Sequence, residues 1–181
     1  MTTLQGQLLI ATTQLLDPNF MRCVVLIVQH GEEGSLGLVL NRPLALSVKE
    51  ACEQVLDTED CAVAGSMHQG GPCEGPLMVV HNHDTAGQTE VVPGLYFTTE
   101  REQIEWLLKN SHVATKFFVG YAGWGAGQLE TELGSGSWLL APATPVRVFE
   151  GGEEQWTRVI REVTMGRWID PKDLPDDPSL N

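Results

Sequence analysis

At 181 residues, 42% of them hydrophobic, the chain suits one domain with a core large enough to fold without disulfides, and it is too apolar for a disordered protein. Twenty-four acidic residues against eleven basic ones give a formal net charge of −13, and the basic residues form no run, so direct nucleic-acid binding and attachment to an anionic membrane are both disfavoured. No apolar stretch reaches the ~20 residues of a membrane span and no basic-then-apolar leader opens the sequence, which points to the cytoplasm.

Residues 8–11 read as a first short strand. Asp17-Pro18-Asn19-Phe20 is turn chemistry, with Asp17 as a cap and Pro18 at a first-turn position. The continuous run at 23–28 predicts a strand buried on both faces. His30-Gly31-Glu32-Glu33-Gly34 turns the chain, and 36–40 return as the second strand of a hairpin. Ser47 with Glu50 forms a capping-box pattern, and Val48, Ala51, Cys52, Val55 and Leu56 follow at helical spacing, which predicts a helix over 47–56.

Glycine and proline keep 65–76 from staying regular for long. Strands are predicted over 76–81 and, after the Pro93-Gly94 turn, over 95–98. Thr99 and Glu102 repeat the capping box, Ile104, Leu107 and Leu108 give the next helix its apolar face, and Asn110 stops it. A strand over 116–121 leads into a glycine loop, followed by a short helix over 126–133 that breaks at Gly134. Residues 138–141 return to strand, and Trp156, Val159, Ile160 and Val163 mark a last amphipathic helix. Beyond a single domain over 1–169, the tail 170–181 carries three prolines and four aspartates and is expected to be poorly ordered. Strands outnumber helices and strictly alternating β-α units are missing. The predicted class is therefore α+β: a compact β-rich domain with mostly antiparallel or mixed sheets and about three packed helices.

The loop Gly123-Trp124-Gly125-Ala126-Gly127 lies between a predicted strand and a helix start, where backbone N–H groups can cradle an anion. It is neither a P-loop, for no Lys-Ser or Lys-Thr follows, nor a dinucleotide fingerprint, because Gln128 takes the third glycine position. The favoured alternative is that the glycines let two backbones approach while Trp124 plugs a core gap. After the loop, Gln128 and Glu132 would share a helix face with Glu130 turned away; such carboxylates serve acid–base chemistry only if burial shifts one of them.

His81, His83 and Asp84 are close enough to raise a metal reading, but three adjacent residues rarely give tetrahedral geometry, and a solvated strand end is favoured. His30, His68 and His112 are isolated and read as loop or surface residues. No G-x-S-x-G occurs around Ser135 and Ser137, and no cysteine has an activating neighbourhood. Cys23, Cys52, Cys61 and Cys73 form no C-x-x-C pair and read as reduced thiols; a Cys52–Cys61 disulfide stays open, and Cys73 has the most exposed context. Asn41-Arg42-Pro43 closes a strand. Arg42 there either binds an anion bidentately or, slightly favoured, pairs with Glu130 or Glu132 across the fold.

Asp17-Pro18-Asn19-Phe20-Met21-Arg22, Gly37-Leu38-Val39-Leu40-Asn41-Arg42-Pro43, Gly70-Gly71-Pro72, the segment 120–133 and Trp138 occur in the order of the AlgH family, also called YqgE. The resemblance covers about 6–168. Thr13 and Cys73 depart from it, where proline and a small aliphatic residue are usual. It implies a small bacterial cytoplasmic protein of α/β architecture, with no assigned enzymatic activity, no cofactor and a role in regulating alginate production described as transcriptional. On these residues the expectation is a non-enzymatic regulatory protein that binds an unidentified protein or small molecule. The ligand surface would combine Asn41, Arg42, Gly71, Pro72, Tyr121, Trp124 and Gln128, with Arg22, Glu130 and Glu132 structural or ion-paired and no metal. The alternative is a hydrolase using carboxylates or Cys73.

Overall fold

The computed structural model of the chain describes residues 3–56, 61–84, 89–152 and 154–168. The strands are β1 (Gln7–Ala11), β2 (Val24–Gly31), β3 (Gly34–Val39), β4 (Pro43–Ser47), β5 (Ser66–Gln69), β6 (Met78–His81), β7 (Thr89–Val92), β8 (Leu95–Thr98), β9 (Thr115–Val119), β10 (Ala122–Gly125) and β11 (Trp138–Pro142). Helices α1 (Val48–Ala51), α2 (Arg101–Lys109), α3 (Gln128–Gly134), α4 (Pro145–Phe149) and α5 (Gln155–Trp168) are interspersed among them, and α1 runs on through a wider turn at Cys52–Leu56. The fold is α+β, and its longer helices are α2, α3 and α5.

Two sheets organise it. One has the order β10-β3-β2-β1-β11, the other β4-β5-β9-β6-β8-β7. All pairings are antiparallel except β5 with β9. The period of 2 along β2 explains how they stack. Val24, Leu26 and Val28 face the second sheet and meet Leu8, Ile10, Val80 and Phe118; Cys23, Val25 and Ile27 face the other way, toward Trp124, Leu129 and Trp138. Every residue from Cys23 to Val28 is buried, as the unbroken apolar run predicts. The far side of the second sheet is covered by α1 and α2, where Val48, Ile104, Leu107 and Leu108 pack on Met67, Val79 and Phe117. Val159 of α5 joins the inter-sheet core, and Trp156 donates its indole N–H to the Ala11 carbonyl at 2.8 Å.

Several local expectations hold and several shift. The Ser47–Glu50 capping box forms in both directions. At α2 the N-cap is Glu100, whose N–H is accepted by Thr98 Oγ1; that hydroxyl in turn donates to Gln103. Asp17 caps a single turn through the Asn19 N–H and starts no helix. Strands β4, β5 and β7 and helix α4 are additions to the predicted elements. The glycine loop at 123–125 is a correction, since these residues are the edge strand β10. The predicted tail, 170–181, lies outside the described residues. Among the described residues no helix is long and apolar enough to cross a membrane.

Candidate functional site

The corner after β3 is built by two consecutive side chains. Asn41 is buried, and its amide stands in for a strand neighbour: Oδ1 accepts the Val24 N–H and Nδ2 donates to the Arg22 carbonyl, both at 2.9 Å. Arg42 donates to the carbonyl of the preceding residue in that loop, Met21. Held this way, Arg22 sits at φ 54, the one non-glycine with a left-handed backbone among the described residues. Neither Arg22 nor Arg42 enters an ion pair with a described residue. Arg42 does not meet Glu130 or Glu132, which corrects the ion-pair expectation.

Arg42 forms a wall shared by two clefts. The first, about 270 Å³, is lined by Pro18, Asn19, Arg42, Gln69, Gly71 and Pro72 among others. The second, about 360 Å³, lies between Arg22, Asn41, Arg42, Pro43 and the first turn of α5, Trp156 and Thr157. Beneath the corner, Lys116 of β9 is buried and donates to the carbonyls of Leu40 at 3.0 Å and Val148 at 3.1 Å. Burial, with Arg158 adding to it, pushes the Lys116 amine down to about 8. Burial, and then Lys116, lower His68 to about 4. The neighbouring Cys23 thiol is pushed up to about 12, mainly by burial, which keeps it protonated at neutral pH.

The glycine-tryptophan segment serves packing. Trp124 is 5% exposed and stacks on Phe20 with ring centroids 6.0 Å apart. Its indole N–H reaches Glu132 Oε2 at 3.0 Å, and Trp138 reaches the same oxygen at 2.8 Å. Gln128 donates to Glu132 Oε1 and accepts the Gly125 N–H, while Glu130 lies 3.4 Å from His30 Nε2. His30 is thereby a partnered side chain and not an isolated surface residue. The two glycine motifs meet back to back. Cys73 and Tyr121 exchange backbone hydrogen bonds, and a Cβ on Gly71 would lie 2.2 Å from the Tyr121 carbonyl carbon. This is the close backbone approach the sequence favours.

The structure therefore divides the expected ligand surface. Asn41, Arg42, Gly71 and Pro72 converge on the corner, with Asn41 tied up in the backbone. Tyr121 and Trp124 border a separate shallow depression on the β3–β10 edge, and Gln128 belongs to the Glu132 network. Arg22, placed among structural residues, lines the second cleft instead. Trp156, Gln69, Asn19 and Lys116 are additions. Lys116 left a signal, a lysine opening the apolar run Lys116-Phe117-Phe118-Val119, and Asn19 stands in the 17–22 motif; Gln69 and Trp156 carried no mark of a site.

His81 is buried and stacked on Tyr96 at 5.8 Å, so the solvated strand end is corrected. Among the described residues no group of three or more His, Cys, Asp and Glu is arranged to hold a metal. All four cysteines carry free thiols.

A family profile described as AlgH-like matches residues 8–167. A UPF0301 protein of Chlorobaculum tepidum is 37% identical over 97% of this chain and 95% of its own. One of Streptomyces coelicolor is 38% identical over 99% and 96%. Among solved structures, the AlgH protein from Pseudomonas aeruginosa superposes with a TM-score of 0.75 at 28% identity, covering 97% of this chain and 96% of that one. A protein from Corynebacterium diphtheriae gives 0.72 at 25% identity, covering 87% and 85%.

Proposed function

The chain belongs to the AlgH-like family, and from that premise we propose that it is a cytoplasmic regulatory protein that works by binding rather than by catalysis. The observation that carries this reading is the Arg42 corner. One guanidinium, anchored on the Met21 carbonyl and outside every ion pair among the described residues, stands between two clefts. On the Gly71–Pro72 side, Asn19 and Gln69 supply amides, Gln69 donating to the Gly71 carbonyl, and the prolines supply apolar contact. That mixture suits a small polar molecule or the loop of a partner.

The acidic residues of the hydrolase alternative already have structural partners: both oxygens of Glu132 accept hydrogen bonds, and Glu130 meets His30. Any influence on gene expression passes through a partner, because a net charge of −13 opposes direct contact with DNA. The test is a capture from native lysate with mass spectrometry of retained proteins and small molecules, run with the wild type and Arg42→Gln. Species retained by the wild type and lost from the variant support the corner. Identical sets rule it out.

A further inference from the structure

We infer that the second cleft, between Arg22, Arg42 and Trp156, binds a small organic anion made of an oxyanion head on a flat apolar body. The site shares Arg42 with the reading above but opens toward α5 and not toward Gly71 and Pro72.

Charge is the first support. The chain carries 24 acidic residues against 11 basic ones, and among the described arginines Arg101, Arg147 and Arg158 each pair with a carboxylate. Arg22 and Arg42 line one cleft, and neither forms an ion pair among the described residues. Two guanidinium forks converging on one space match the paired oxygens of a carboxylate or a phosphate monoester.

Strain is the second support. Arg22 at φ 54 adopts a backbone that glycine would take without penalty. Asn41 and Arg42 impose it by holding the carbonyls of Arg22 and Met21. What arginine supplies there, and glycine cannot, is the guanidinium. An outlier over-determined by its surroundings in this way is typical of a binding site.

The third support is the apolar wall. The Arg22 guanidinium carbon lies 5.7 Å from the centre of the Trp156 ring, and that indole is locked by its bond to Ala11. Pro43 faces the same space, and Thr157 adds a hydroxyl. At about 360 Å³ the cleft exceeds an inorganic oxyanion and falls within the range of small-molecule sites. A preformed wall of this kind lowers the ordering cost of binding a flat group.

The experiment is a titration of the ¹⁵N-labelled full chain with phenyl phosphate, benzoate, inorganic phosphate and phenol. The Trp156 indole and arginine side-chain N–H signals are followed. Phenyl phosphate or benzoate should shift these signals saturably at millimolar concentration or below, and the tighter of the two identifies the head group. Inorganic phosphate should bind about tenfold more weakly and phenol should not bind. Arg22→Gly relieves the backbone strain, so it should keep the wild-type spectrum elsewhere while weakening the anion about tenfold or more.

No saturable shift with either organic anion overturns the proposal. So does an Arg22→Gly variant that binds as the wild type does. Equal affinity for inorganic and phenyl phosphate overturns the flat-body assignment. Arg22→Gly leaves the Gly71–Pro72 cleft intact, so species held there should be retained by this variant and lost only from Arg42→Gln; failure of this site and failure of the corner reading are thereby told apart.

Discussion

The indole N–H groups of Trp124 and Trp138 end on a single oxygen of Glu132, while Gln128 holds the other. An amide at 132 cannot satisfy three donors, because one of its own N–H groups must face another donor. Glu132→Gln should cost about 1–3 kcal/mol in urea unfolding, whereas Glu130→Gln, at a carboxylate that is itself about half exposed, should cost about 0–1 kcal/mol. Lys116 gives a second test at this scale. Its folded value of about 8 lies below its ordinary 10.5, so between those pH values the unfolded chain binds more protons. Stability of the wild type should therefore rise, relative to Lys116→Met, as pH goes from 8 to 10.5, by on the order of 3 kcal/mol. The comparison between the two proteins is needed because Cys23 and Cys52, both raised to about 12 mainly by burial, destabilise each of them as pH rises through the same range.

Elements repeat the lesson that glycine-rich need not mean loop. Strand β10 pairs with β3 through Ala122, Gly123, Trp124 and Gly125, and its glycines differ in what they permit. Gly71, against which this segment packs, has φ 157 and no room for a Cβ; Gly125 has its nearest neighbour, Gln128 Oε1, at 3.9 Å. Gly71→Ala should cost about 3 kcal/mol or more, and Gly125→Ala should cost no more than about 0.5 kcal/mol, both read from thermal or urea unfolding.

The same contrast explains what the sequence made legible. Central strands such as β2 announce themselves because both faces are buried. The missed strands β4 and β7 and the misread β10 are all sheet edges, where one neighbour suffices and the apolar pattern weakens; Pro43 is tolerated at the head of β4 for that reason. Strand β5 spans four residues with only Met67 buried, too little pattern to stand out from the glycines and prolines around it. Helix α4 did carry a readable signal, Thr144 capping the Arg147 N–H with Pro145 following it. At the candidate site, Arg42 was legible from Asn41-Arg42-Pro43. The roles of Arg22 and Trp156 depend on α5 meeting the 17–22 loop, a contact across more than a hundred residues that no local spacing encodes.

For the whole molecule, a charge of −13 means that self-repulsion opposes the folded state. Raising the salt from ~0.01 to ~0.15 M shortens the Debye length from about 30 to about 8 Å and should raise the unfolding midpoint, measurable by calorimetry. A mixed DNA pool at the lower salt should show no retention.

The first sheet has a further consequence in the order of its strands. β1, β2 and β3 lie side by side as soon as they are made, but the strands that flank them, β10 and β11, come from the last third of the chain, with Gln7 opposite Pro142. From Val39 to Pro142 is 142 − 39 = 103 residues of synthesis. At roughly 5–20 residues per second, the growing chain carries an open strand edge for about 5–20 s before both flanks are covered. Its exposure to aggregation is set during translation, by the pace of the ribosome and the chaperones that meet it there, and is decided before the finished fold has any stability to measure.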